Sequence, residues 1–167
     1  ALHFFKLSSD KGNETAMNNY ASMLRDGEGI EADKEKALLY FKKSADKGNN
    51  YAMNNYAMML KKGDGIEQNK SEALRYFKLS ADHGNRIGMF NYAKLLRDDE
   101  INANKEEASR FFKMSADLGD VYSMCSYADM KLNGDGIEKD KVEAIRYYKM
   151  AADKGSSLAK NKLNLLK

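Results

Sequence analysis

An aspartate, one spacer and a glycine recur at Asp10, Asp46, Asp82, Asp117 and Asp153, at intervals of 36, 36, 35 and 36 residues. A second signal keeps the same period. "GEGI" begins at Gly27 and "GDGI" at Gly63 and Gly134, intervals of 36 and 71 residues, the latter being one long and one short period. The missing copy is "DDEI", Asp98 to Ile101, where one residue of the Gly-x-Gly turn has been lost. A fixed period of this length means a repeat array. Each unit is too small to bury its apolar face alone and buries it against its neighbours.

Each period holds two helical segments. Helix A reads "AMNNYASML" from Ala16, "AMNNYAMML" from Ala52, "GMFNYAKLL" from Gly88, "SMCSYADMK" from Ser123 and "AKNKLNLLK" from Ala159. Helix B reads "KALLYFKKSAD" from Lys36, "EALRYFKLSAD" from Glu72, "EASRFFKMSAD" from Glu107 and "EAIRYYKMAAD" from Glu143, and the opening "ALHFFKLSSD" is a further copy. The expected fold is all-α, ten helices and no strands. Helix A carries an apolar stripe at Ala16, Met17, Tyr20, Ala21 and Leu24, and helix B one at Ala37, Leu38, Tyr40, Phe41 and Ala45. The aromatic doublets, such as Tyr76-Phe77 and Tyr147-Tyr148, are expected to fill the space between repeats.

The helix ends agree with the period. Asn13, Asn49, Asn85, Asp120 and Ser156 supply N-caps for helix A. Asn69 with Glu72, Asn104 with Glu107 and Asp140 with Glu143 read as capping boxes for helix B, whereas Asp33 with Lys36 has only the cap. "GDGI" then reads as the loop inside an αα-hairpin. A phosphate loop would need lysine directly after the second glycine and a preceding strand, and a calcium loop an alternating ladder of acids. Neither is present.

Composition narrows the function. Formal net charge is +3 with acids and bases interleaved, which does not supply the basic stripe that nucleic acid requires. No apolar run reaches membrane-spanning length, so no membrane insertion is expected. Cys125 is the single cysteine, which favours a reducing, cytoplasmic compartment. His3 and His83 fall at different places in the repeat with no partner at ligand spacing, so no metal or other cofactor is expected.

Across nearly the whole chain the pattern A-M-x-x-Y-A-x-M-L-x-x-G-x-G-I, followed by the helix B signature ending A-D-x-G, resembles the Sel-one-like repeat family, relatives of the tetratricopeptide repeats. The helix A alanines Ala21, Ala57, Ala93 and Ala128 stand where that family often has glycine. Glu31, Glu67, Asn102 and Glu138 stand where it often has proline. The lone cysteine separates the chain from a secreted branch with a disulfide in each repeat. The resemblance implies a right-handed α/α superhelix, or solenoid, of about five two-helix repeats. It also implies a role as adaptor or scaffold in protein complexes, with no chemistry of its own. The array is expected to run over 1–167 as a partial repeat 1–12, repeats 13–48, 49–84, 85–119 and 120–155, and a half-repeat 156–167. It is expected to be a piece of a longer protein.

Helix A usually lines the concave face of such arrays. Its positions outside the stripe then form the candidate groove: Asn19, Asn54, Asn55, Met58, Phe90, Asn91, Lys94, Ser126 and Asp129. Asn19, Asn55 and Asn91 stand one repeat apart. Each amide both donates and accepts, so a ladder of them suits an extended peptide. Met58 and Phe90 add adaptable and aromatic surface. The alternative is a solvated helix face.

Two rival functions stand beside this one. "SSDK" at Ser8 and "SADK" at Ser44 match the S-x-x-K nucleophile motif of β-lactam-processing enzymes. The companion motifs S-D-N and K-T-G are missing, and the match drifts in and out with the helix end, so the chain is expected not to be an enzyme. The terminal helices offer a second rival, self-association through Leu2, Phe5, Leu163 and Leu166.

Overall fold

A computed structural model of the chain describes residues 2–98 and 104–166. They contain ten helices and no strand: α1 (Leu2–Asp10), α2 (Glu14–Asp26), α3 (Lys34–Asp46), α4 (Asn50–Lys62), α5 (Lys70–Asp82), α6 (Arg86–Asp98), α7 (Lys105–Asp117), α8 (Val121–Asn133), α9 (Lys141–Asp153) and α10 (Ser157–Leu165). Even numbers are helix A and odd numbers helix B. The chain divides into two compact units, Ala1–Gly88 and Met89–Lys167, with the division falling in α6.

The caps form as the sequence predicts. The side chains of Asn13, Asn49, Asp120 and Ser156 accept from the N–H three residues on, and Asn85 does the same for Gly88. At helix B, Asp33, Asn69, Asn104 and Asp140 also cap three residues on. Only half of the expected capping box is made there. The backbone N–H of Asp33, Asn69 and Asp140 goes to the carbonyl of Leu24, Leu60 and Lys131 on the preceding helix A. The glutamate is released to bridge the helices instead. Glu143 takes the Lys131 ammonium at 3.0 Å, and Glu107 accepts from the Tyr92 hydroxyl at 3.1 Å.

Residues 99–101 of the shortened loop copy, and Asn102 beside them, lie outside the described residues. The bond that closes this hairpin is described. Asn104 donates to the Leu96 carbonyl at 3.2 Å, across eight residues instead of the nine between Leu60 and Asn69. The deletion leaves the closure intact.

Core packing follows one rule in each repeat. The helix A tyrosine meets the first aromatic of the helix B doublet edge to face: Tyr20 with Tyr40, Tyr56 with Tyr76, Tyr92 with Phe111 and Tyr127 with Tyr147, with centroids 4.7–5.0 Å apart. This geometry suits the ring quadrupoles. The second aromatic, Phe41, Phe77, Phe112 or Tyr148, is completely buried. Such burial contributes about 1.5–3 kcal/mol for each ring. Ala21, Ala57, Ala93 and Ala128 are also completely buried, where a larger side chain would hold the helices apart.

Two further devices tie the elements together. The Ser44 hydroxyl donates to the Glu14 carbonyl at 2.6 Å, and Ser80 to that of Asn50 at 2.7 Å. Each pins the end of helix B to the first turn of helix A, where an N-terminal turn is close by. The Gly-Asp-Gly loop is a staple. Asp64 takes the Lys34 ammonium at 2.6 Å, and Asp135 that of Lys105 at 2.7 Å, each lysine opening the preceding helix B. The second glycine of the loop lies on that same residue. A Cβ at Gly65 would stand 2.7 Å from Lys34 Cβ, and both Gly65 and Gly136 hold positive φ. No side chain fits there, and the loop is bound to the neighbouring repeat.

Candidate functional site on the helix A faces

In the first unit, a cleft of about 580 Å³ opens between the N-terminal halves of α2 and α4, lined by Glu14, Asn18, Asn19, Lys47, Tyr51 and Asn55 among others. Helical spacing puts Asn18 and Asn19 on the edge of the α2 apolar stripe and Asn55 at the matching place on α4. All three are half-buried. Their amides form a relay. Asn55 Nδ2 donates to Asn18 Oδ1 at 3.0 Å, and Asn18 Nδ2 donates to Asn19 Oδ1 at 3.3 Å. Tyr51 is 61% exposed at the cleft's edge. Asn54 is 8% exposed and belongs with the core side of α4, while Met58 is half-buried.

The second unit presents different chemistry at the same repeat positions. Phe90 is half-buried, its ring 5.8 Å from Phe112 and 6.1 Å from Tyr122, which is 73% exposed. Asn91 and Ser126 are half-buried and Lys94 is exposed. Asp129 is committed inside the protein. Its Oδ1 accepts from the Tyr148 hydroxyl at 2.6 Å and from the Lys162 ammonium at 2.7 Å. Burial and the bond to Asp129 both push the Tyr148 phenol well above its ordinary pKa. Lys162 thus stands at the asparagine rung and fastens α10 to α8. Cys125 is buried, and burial pushes its thiol up as well, away from reactivity.

Periodicity had singled out the asparagine rungs but not Tyr51 or the middle position of the relay at Asn18. Both were visible only as repeat positions. Tyr51 matches Ile87, also exposed, at the second residue of helix A. Ser44, the serine of the S-x-x-K match, is completely buried and spent on the Glu14 carbonyl. Among the described residues, no group of three or more His, Cys, Asp or Glu could hold a metal ion. No described helix is long and apolar enough to cross a membrane.

A period of two helices, a glycine-closed hairpin and pins between successive helices define the class, an all-α repeat solenoid. The profile of the Sel1 repeat matches residues 15–49, 50–85, 87–120 and 121–156. The chain therefore belongs to the Sel1 repeat family, whose members are typically protein-interaction scaffolds without enzymatic activity. No curated protein matches it significantly. Among solved structures it is similar to a protective antigen of uropathogenic Escherichia coli that displays an SLR fold, at 22% identity and TM-score 0.93, covering 99% of this chain and 36% of that one. A Sel1 repeat protein from Oxalobacter formigenes has 22% identity and TM-score 0.91, covering 100% of this chain and 49% of that one. An immunity protein from Pseudomonas aeruginosa has 20% identity and TM-score 0.62, covering 95% and 59%. At these identities the likeness is one of fold. The chain spans less than half the length of the first two.

Proposed function

We propose that the chain is a protein-interaction scaffold whose helix A faces bind an extended segment of a partner protein. The observation that carries this is the asparagine cleft of the first unit. Asn19 Nδ2 and Asn55 Oδ1 have no partner among the described residues, so one donor and one acceptor are available beside an exposed tyrosine. A peptide backbone offers the complementary pair whatever its side chains. In the second unit Phe90 and Tyr122 supply aromatic area of the kind that anchors partners. A single buried cysteine suits a reducing, cytoplasmic setting, to be checked by fractionation.

The test is affinity capture from the source organism's lysate. The bait is the chain, and its control carries alanine at Asn55, Met58, Phe90 and Asn91. A partner held by the first and lost by the second, at equal helicity, is the expected result. A partner held equally by both removes the helix A faces from the function.

Self-association is a second reading, and the exposed apolar face of α1 favours it. Ser9 stands at the register position of the buried Ala45 and Ala81, and its hydroxyl is buried with no partner among the described residues. Beside it Phe4 is 69% and Leu7 48% exposed. Leu2, Phe5, Leu163 and Leu166 are half-buried instead, and Leu158 and Leu165 are the exposed leucines of α10. A helix laid against α1 would cover Phe4 and Leu7. Sedimentation at rising concentration tests this, and a constant monomer mass refutes it.

A further inference from the structure

We infer that Asn18 is the positioning residue of the first unit's cleft: by standing between Asn19 and Asn55 it forces them to present opposite hydrogen-bonding characters, so that together they read one peptide group of an extended backbone. This rests on the peptide-binding proposal above and adds what sets the polarity of that site.

A primary amide has an acceptor at one end and a donor at the other, and rotation by half a turn exchanges them. Asparagines that merely recur along a face would present either end at any rung, and two neighbouring rungs could both offer oxygen or both offer nitrogen. Asn18 removes that freedom. Its oxygen is occupied by Asn55 Nδ2 and its nitrogen by Asn19 Oδ1. The outward ends are then Asn55 Oδ1 and Asn19 Nδ2, an acceptor and a donor. The pairing is robust. If all three amides turned together, Asn19 would accept and Asn55 donate, and the outward pair would still be one of each. A middle group has this property only if it both donates and accepts, as an amide does. A carboxylate there would draw the nitrogen of both neighbours inward and leave two oxygens facing the ligand.

A peptide group needs one donor for its carbonyl and one acceptor for a backbone N–H. The ligand class is therefore an extended, uncharged backbone segment, selected by backbone rather than by side chain. Tyr51, at the edge of the same cleft, offers a ring on which a ligand side chain of any kind can rest.

The probe is acetyl-tetraalanine-amide, which has nothing but backbone to recognise, together with its N-methylated counterpart, which lacks the N–H donors. The readout is the side-chain amide signals of Asn18, Asn19 and Asn55 in 15N-labelled protein. In wild type, the Asn19 and Asn55 signals should shift saturably with the first peptide and not with the second. Asn18→Asp is nearly isosteric, and the probe is neutral, so the added charge does not itself oppose binding. Its affinity should be about fivefold lower, as loss of one ordinary neutral hydrogen bond implies, with far-UV circular dichroism unchanged. Asn18→Ala, which frees both neighbours to rotate, should fall between the two and serves as the second variant if the aspartate disturbs folding. Equal affinity of wild type and both variants would overturn the positioning role while leaving peptide binding standing. Asn19 and Asn55 signals unmoved by saturating peptide in the wild type would overturn peptide binding at this cleft itself.

Discussion

Gly136→Ala tests whether the Gly-Asp-Gly loop is a staple between repeats or only a turn. Gly134, two residues earlier in the same loop, is its control. Both glycines have positive φ, +72° at Gly134 and +74° at Gly136. Either alanine therefore costs about 1–2 kcal/mol of left-handed backbone strain. The surroundings differ. A Cβ at Gly134 meets nothing closer than Lys139 Cβ at 3.4 Å. A Cβ at Gly136 would stand 2.7 Å from the carbonyl carbon of Lys105 and closer still to its Cβ. Backbone cannot yield as a flexible side-chain end does, so the loop must move off the start of α7. That displacement adds about 1–3 kcal/mol of overpacking. It also parts Asp135 from Lys105, a half-exposed pair 2.7 Å apart whose loss adds under about 1 kcal/mol. Gly134→Ala should thus lose about 1–2 kcal/mol and Gly136→Ala about 2–6 kcal/mol. Urea unfolding followed by circular dichroism at 222 nm measures both. Equal losses in the two variants would show that the close approach to Lys105 has no energetic consequence and would refute the staple.

Ser80→Ala should cost about 1 kcal/mol in urea unfolding, because it strips the Asn50 carbonyl of its hydroxyl partner. Asp129→Asn should speed hydrogen exchange in α10 ahead of the other helices, since it weakens the Lys162 fastening; uniform exchange would contradict that role. At alkaline pH, burial followed by the nearby Glu143 charge pushes the Tyr127 phenol up to about 12. Its folded pKa lies above its unfolded one near 10, so its contribution is fully present below about pH 10 and is lost as pH rises toward 12. Thermal melts across that window should fall steadily, and Tyr127→Phe should flatten the fall.

How far the candidate site was legible depends on the reach of each interaction. The asparagine rungs were legible because repetition places equivalent residues in equivalent positions. Asn54 was not separable from Asn55, since adjacent residues at the edge of a helical stripe differ by a rotation that only packing settles, and Asn54 turned inward. The commitment of Asp129 was hidden for another reason. Its partners are Tyr148, which replaces the phenylalanine of the other repeats, and Lys162, one repeat on. The glutamates of helix B show the same limit. Their spacing from the caps is that of a capping box, yet a helix A carbonyl reached the cap N–H first.

The period, the glycines, the caps and the apolar stripes were settled along the chain itself, because each acts over a few residues and repeats. They determined ten helices, their ends and their buried faces. Tertiary structure decided what lies across a gap of 30 or more residues. There the Ser44 hydroxyl finds the Glu14 carbonyl, Asp64 finds Lys34, and Asn55 finds Asn18. The serine meets its carbonyl only when the two helices of one repeat pack together, the aspartate and the asparagine meet theirs only when one repeat packs on the next, and the side chain that an amide or a lysine selects depends on distances that packing alone sets.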